Sequence, residues 1–216
     1  LDIMNLAANR VGTQGWTAFA GVTRIASGTN IANTVDESYN NGSTNSNTVH
    51  TTTPNDPDPT KTVTDEDGDN AENGNVVRGE KLDYVVSWDL TGFQDLAYST
   101  VDLAKGVSIY DDYDESKVTA NTMNFDVVDA DGNSIINDVN VAWDNDNGAF
   151  TVSAKDPEAF LDKYAGQTLE VHFEAQINNG VTGELDNQAT QDTFGNNVNT
   201  NVVSVKIPEA SPTKDV

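Results

Sequence analysis

The chain contains no cysteine. A disulfide framework and a thiolate metal site are therefore both excluded. A β-rich protein of this sequence working outside a cell would need some other staple. Cations are scarce: 11 Lys and Arg stand against 35 Asp and Glu, a formal charge of −24. Such a field repels phosphate backbones and anionic membrane surfaces, so nucleic acid is excluded as an expected partner. Acidity of this kind ordinarily marks a solvated surface, and its other reading is cation binding. No apolar run approaches a membrane span and no signal-peptide pattern opens the chain, so membrane insertion is not expected. The two histidines, His50 and His172, lack metal-ligand spacing. There is no Gly-rich phosphate loop and no nucleophile elbow, and paired carboxylates discriminate nothing in so acidic a chain. An enzyme that turns over is not expected. Leu1 is not a start residue, so the chain is expected to be a segment of a longer protein.

Asn, Asp, Thr, Val and Gly dominate what is present. Short β-branched runs separated by Asn/Asp/Gly turns predict an all-β fold built as an antiparallel sandwich. An internal repeat sets the domain plan. Ser46-Asn47-Thr48-Val49, followed by Pro59-Thr60-Lys61-Thr62-Val63, is matched by Thr200-Asn201-Val202-Val203 and Pro212-Thr213-Lys214-Asp215-Val216. Asn33 aligns with Asn187, and Trp16–Phe19 with the run from Leu169 to Phe173. Each copy reads as the last strand of one module, a spacer, and the first strand of the next. Residues 1–53 are thus expected to be the C-terminal strands of a truncated module, and 54–60 a Pro-rich linker with extended, semi-rigid character. Residues 61–207 then form a complete β-sandwich module, and 208–216 a linker and the start of another.

Within the complete module, Leu82, Tyr84, Val86 and Trp88 fall on one face of a strand with period-two alternation. Asp129-Ala130-Asp131-Gly132-Asn133 predicts a hairpin after Phe125–Val128. A second hairpin is expected across residues 144–148. Pro157 to Tyr164 is the one short helix expected, capped by Asp156 with Pro157 at its first position.

A Lys on the first strand and an Asn on the last become neighbours if those strands pair. A buried amine beside a carboxamide can condense to a side-chain amide with release of ammonia. That needs an amine neutralised by burial and a carboxyl group that holds and shuttles protons. Trp88, Tyr84, Phe125 and Phe173 are the residues expected to dry such a site. The candidate carboxyl is Asp111, which shares a strand face with Val107 and Ile109. Asp89 is the rival, out of phase with Trp88. From residues alone, Lys61 and Lys214 read equally as solvated charges at domain joints, and Asn47 and Asn201 as ordinary edge residues.

Pro59–Val63, Leu82–Leu90, Ile109–Tyr113 and Thr200–Val203 together resemble the C-terminal repeats of the antigen I/II family, wall-anchored adhesins of streptococci and related Gram-positive bacteria. They are also similar to collagen-adhesin-type isopeptide domains with a variant immunoglobulin fold. The resemblance implies immunoglobulin-like β-sandwich modules in tandem, forming a stalk on the extracellular, wall-anchored surface of a Gram-positive cell. It implies a Lys–Asn isopeptide bond assisted by an Asp: Lys61 as amine, Asn201 as carboxamide, Asp111 as proton shuttle. Asn47 would be the acceptor of the preceding module and Lys214 the donor of the next. The implied partners are adjacent modules and, through the full-length protein, host or partner-cell surface glycoproteins. A module that itself grips such a ligand is the alternative function, and a carbohydrate-active enzyme the third. The loop carrying Asp65, Asp67 and Asp69 reads either as a solvated turn or as an oxygen-rich Ca²⁺ site, the latter favoured by metal sites in the family. No cofactor is required for the crosslink.

Overall fold

The computed structural model describes residues 28–39, 42–53 and 55–209. Lys214 and the stretch Trp16–Phe19 lie outside the described residues. The chain divides into two compact units, residues 1–56 and 57–216. In the first, β1 (Asn30–Asn33) pairs antiparallel with β4 (Val49–Thr52), and β2 (Asp36–Tyr39) with β3 (Gly42–Asn45).

The second unit runs β5 (Lys61–Thr64), β6 (Lys81–Asp89), α1 (Thr100–Lys105), β7 (Val107–Asp112), β8 (Val118–Val128), β9 (Val139–Asp144) and β10 (Ala149–Ala154). It continues through α2 (Pro157–Tyr164), β11 (Thr168–Ile177), β12 (Gly183–Thr193), β13 (Asn196–Asn199) and β14 (Val203–Ile207). One sheet has the order β5-β6-β11-β8. The other has the order β13-β12-β7-β10-β9, with β14 also paired to β12. The architecture is an immunoglobulin-like sandwich, all-β as expected.

Alternation places the core between the sheets. Leu82, Tyr84, Val86 and Trp88 of β6 are buried, as are Leu169, Val171, Phe173, Ala175 and Ile177 of β11. They face Val107 and Ile109 of β7, Phe150 and Val152 of β10, and Leu185 and Ala189 of β12. Burying a large apolar side chain stabilises by roughly 1.5–3 kcal/mol, so this double row is the main cohesive term. The outer edge of β14 is covered by residues 73–76: Asn73 N–H donates to Ser204 O at 2.6 Å, and Val76 N–H to Lys206 O at 2.9 Å. Gly148, at φ +65°, lets the chain turn tightly beneath Tyr113, whose N–H donates to Gly148 O at 2.7 Å.

The helix over Pro157–Tyr164 forms with Asp156 capping Glu158 N–H and Ala159 N–H. Residues 144–148 connect β9 to β10, which pair antiparallel. The turn at 129–133 closes a short hairpin, with Val128 bridged antiparallel to Ser134, Asp129 N–H donating to Asn133 O at 2.9 Å and Ile135 N–H to Val127 O at 2.7 Å; beyond it the long strands do not pair with each other. β8 pairs with β11 and β9 with β10, so the chain changes sheets there.

Candidate functional site

Lys61 opens β5 at the edge of its sheet, paired with Val86. Its inward phase, shared with Val63, sends the side chain into the core, where the residue is only 2% exposed. Few lysines tolerate that without a partner. The partner is Asp111 on β7, in the opposite sheet and 0% exposed. Lys61 Nζ donates to Asp111 Oδ2 in a very short contact. Asp111 alternates inward with Val107 and Ile109 and lies between Phe150 of β10 and Ala189 of β12.

Aromatic rings close the amine off from water. Lys61 Nζ lies 5.1 Å from the Tyr84 ring centre and 5.2 Å from that of Phe173. Those two rings stack at 4.9 Å, and Phe150 packs edge-on to Phe173 at 5.0 Å. Of the four aromatic residues expected to dry the site, Tyr84 and Phe173 do so. Trp88 instead packs on Phe160, and Phe125 sits against Trp143 and Phe150.

Burial governs both charged groups. It lowers the Lys61 pKa, an effect that Asp111 opposes but does not reverse. It raises the Asp111 pKa in the same way, against the pull of Lys61. Both directions favour the neutral pair, a free amine beside a protonated carboxyl group. Tyr84, buried beside them, has its hydroxyl pKa raised as well.

The carboxamide beside this pair belongs to Asn187. It lies on β12, inward between Leu185 and Ala189, and is 3% exposed. Asn187 and Asp111 are diagonal neighbours, because Ala189 is the direct partner of Asp111. The carboxamide is close enough to help hold the Asp111 pKa down. Yet Asn187 Nδ2, Asn187 Oδ1 and Asp111 Oδ1 all lack a well-formed hydrogen bond. A buried carboxamide left in this state costs roughly 1–3 kcal/mol, and that calls for an explanation.

Asn201, the acceptor expected from the sequence, is placed differently. Its side chain meets Lys61, but at the main chain: Lys61 N–H donates to Asn201 Oδ1 and Asn201 Nδ2 donates to Lys61 O, each at 2.9 Å. Its carboxamide is thus engaged away from the amine, on a residue that is otherwise exposed. The reason is register. The inward positions of β12 and β14 are Asn187 and Val203, which pair with each other, whereas Asn201 precedes β14 at the sheet's margin.

The first unit repeats this pattern. Asn33 pairs with Val49 as Asn187 does with Val203. Ser46 N–H donates to Val35 O at 2.8 Å and Thr200 N–H to Ala189 O at 2.9 Å. Ser46 and Thr200 hydroxyls each donate to the carbonyl of the following Asn at 2.8 Å. The counterpart of Asn187 is therefore Asn33, and Asn47 is the counterpart of Asn201. The signal for Asn187 was present in the sequence, as a polar residue at an inward position of an alternating strand and as the aligned partner of Asn33.

Asp89, the rival carboxyl group, turns outward and accepts from Asp58 N–H, Thr91 N–H and the Thr91 hydroxyl. Partial burial pushes its pKa up, but these hydrogen bonds outweigh that and bring it below the usual carboxylate range. It takes no part in the cluster. Asp65 Oδ1 accepts from Asp67 N–H at 3.1 Å and Asp69 N–H at 2.9 Å, which folds that carboxylate into its own loop. Among the described residues no group of three or more His, Asp or Glu side chains is placed to hold a metal ion. His50 bonds Asn30, and His172 bonds Glu170.

A two-sheet antiparallel sandwich with an amine, a carboxyl group and a carboxamide sealed between its sheets defines a structural β-module. Residues 59–207 match the cell surface antigen I/II C2 terminal domain, and residues 1–54 the cell surface antigen C-terminus. The chain belongs to the antigen I/II family of cell-surface adhesins. Aggregation substance of Enterococcus faecalis is 44% identical over 217 residues, which cover 100% of this chain and 17% of that relative. The chain therefore spans about a sixth of the relative's length.

Among solved structures, the C-terminal domain of the Streptococcus pyogenes antigen I/II-family protein AspA has a TM-score of 0.63 at 22% identity. The match covers 72% of this chain and 53% of that one. The C-terminal domain of the Streptococcus agalactiae antigen I/II polypeptide BspA gives 0.58 at 24% identity, over 70% and 50% of the two chains. The Corynebacterium diphtheriae major pilin SpaA gives 0.52 at 25% identity, over 69% and 38%; its structure points to a modular pilus assembly and stabilizing isopeptide bonds. These likenesses establish a shared fold.

Proposed function

We propose that residues 57–209 are a load-bearing stalk module of a wall-anchored surface adhesin, closed by an isopeptide bond between Lys61 and Asn187. The observation that carries this reading is the sealed trio: amine and carboxyl group in contact, with an unsatisfied carboxamide beside them. The neutral Lys61 amine attacks Asn187 Cγ. Asp111 gives its proton to the carbonyl oxygen as the tetrahedral intermediate forms and takes one from Nζ. It then gives that proton to the departing nitrogen and takes back the one on oxygen as the carbonyl re-forms. The Cγ–Nδ2 bond breaks, the Cγ–Nζ bond forms, and ammonia leaves. Asp111 ends as it began, so the step is a single self-directed turnover rather than enzymatic catalysis on a substrate.

The bond would join β5 of one sheet to β12 of the other. By analogy with a disulfide across a loop of ~100 residues, closure contributes on the order of 5 kcal/mol. Tension applied at the two ends of the module would load that bond and spare most of the sandwich. Lys81, Glu174, Asn121 and Asn124 form a second cluster of the same residue types. There the Lys81 side chain is 45% exposed, so water reaches its amine and no condensation is expected. By the same register, Asn33 is the acceptor of the preceding module. Adhesion to host or partner-cell glycoproteins belongs, in this reading, to the full-length protein.

Intact mass spectrometry tests the assignment. The chain is expected to weigh one ammonia less than its sequence, and Lys61→Ala and Asn187→Ala should each restore the full mass. A full-mass wild-type protein would sink the proposal.

A further inference from the structure

The role of Asn201 does not end with its exclusion as acceptor. We infer that it is a positioning residue for the proposed crosslink, holding the Lys61 main chain in place so that the amine meets Asp111 and Asn187. The inference rests on that proposed reaction.

Lys61 sits on an edge strand, and its own N–H and C=O point away from β6. In an antiparallel ladder a neighbouring residue would take both groups at once. Here a single carboxamide does so, with two bonds of 2.9 Å. Asn201 is in turn anchored to the strand that carries the acceptor. Thr200 N–H donates to Ala189 O at 2.9 Å, Ala189 N–H donates to Thr200 Oγ1 at 3.1 Å, and Gln188 Nε2 donates to Thr200 O at 2.6 Å. Thr200 Oγ1 then donates to Asn201 O. Asn201 thus ties the Lys61 main chain to β12 within two residues of Ala189, the direct partner of Asp111. Nucleophile, shuttle and acceptor are referenced to one another through this tie, although Lys61 comes from the other sheet. The recurrence of the Asn33/Asn47 pair at the spacing of Asn187/Asn201 fits a unit of acceptor plus clamp.

The fold supplies its own control. Gln191 makes the same two-point contact with the main chain of Asp89: Asp89 N–H donates to Gln191 Oε1 at 2.9 Å, and Gln191 Nε2 donates to Asp89 O at 2.8 Å. That clamp also joins the two sheets but does not touch Lys61, Asp111 or Asn187.

The experiment follows ammonia loss by intact mass in a pulse of freshly synthesised full chain, quenched in denaturant at successive times. Wild type, Asn201→Ala, Asn201→Asp and Gln191→Ala are compared, and each substitution is also melted in a crosslink-free Lys61→Met background. A misplacement of an ångström costs up to roughly a hundredfold in rate. Asn201→Ala should therefore lose its ammonia roughly tenfold to a hundredfold more slowly than wild type, yet go to completion because Asn187 is intact. Asn201→Asp keeps the acceptor oxygen but not the donor and should fall between the two. Gln191→Ala should lower the crosslink-free melting temperature without comparable slowing. The inference is overturned if Asn201→Ala reacts at the wild-type rate, or if both alanine variants slow only in proportion to their loss of stability. Failure of Asn201→Ala ever to lose ammonia would make Asn201 the acceptor and overturn the crosslink assignment with it, as would a wild type that never reacts.

Discussion

Removing the amine while keeping its partner exposes how burial is balanced in the core. Consider Lys61→Met in an Asn187→Ala background, so that no crosslink forms in either the test or the reference protein. Asp111 then remains 0% exposed, beneath Tyr84, Phe173 and Phe150, with no cation. Breaking a buried ion pair by deleting one partner destabilises by about 3–5 kcal/mol when the remaining group must stay charged. Asp111 has an escape, because burial already raises its pKa above the ordinary 3.8 and Lys61 is the main influence holding it down.

Without Lys61 the folded-state pKa rises further, while the unfolded value stays put. Between those two values the folded protein holds a proton that the unfolded chain has released, so stability falls as pH rises. The loss begins near pH 4 and continues to the raised folded pKa. The reference protein keeps amine and carboxyl group together. That neutral pair holds one proton in total, as do an unfolded Lys and Asp together near neutrality, so the pair adds little pH dependence there. Urea denaturation at pH 5 and pH 8 should show the Lys61→Met penalty growing to about 3–5 kcal/mol at the higher pH. An equal penalty at both, or a larger one at pH 5, would refute the reasoning.

Three further variants have expected outcomes. Asp111→Asn keeps the volume of the protonated acid but cannot shuttle a proton, so the protein should fold and retain its full mass on intact mass spectrometry. Gly148→Ala should cost about 1–3 kcal/mol in urea unfolding, because its φ of +65° disfavours any Cβ and that Cβ would strike the Tyr113 carbonyl. Gly132→Ala, at φ +80° with nothing within 4 Å, should cost less.

Much of the sandwich was legible because both faces of its strands are sharply different. The clean alternation of β6 declares which side is core, and Asp156 with Pro157 declares a helix start. α1 was missed although Ser99 caps it and its hydroxyl bonds Asp102; at six residues it shows too few turns for a periodic signal. β8 was read too short because Asn121 to Asn124 are polar and the strand bulges opposite Phe173 and Glu174. The turn at 129–133 carries hairpin chemistry, but turn residues specify a local reversal and not which sheet the chain enters next.

The site was legible in part for the same reason. Lys61 and Asp111 are charges in inward phase on apolar strands, and the structure brings them together. The acceptor expected from the repeated joint between modules was Asn201, just before β14, whereas the carboxamide that the structure puts beside the buried pair is Asn187, on β12. Asn201 sits at the joint and is easily noticed; Asn187 sits mid-strand and reveals itself only when its phase with Leu185 and Ala189 is followed. The first-strand-to-last-strand picture also assumed that neighbours in one sheet react, whereas the buried trio bridges two.

The most direct test is peptide mapping by tandem mass spectrometry of the digested wild-type chain. The account requires the Lys61 peptide joined to the Asn187 peptide with loss of one ammonia, and the Asn201 peptide free. A Lys61 peptide recovered unlinked, or joined to the one containing Asn201, would contradict it.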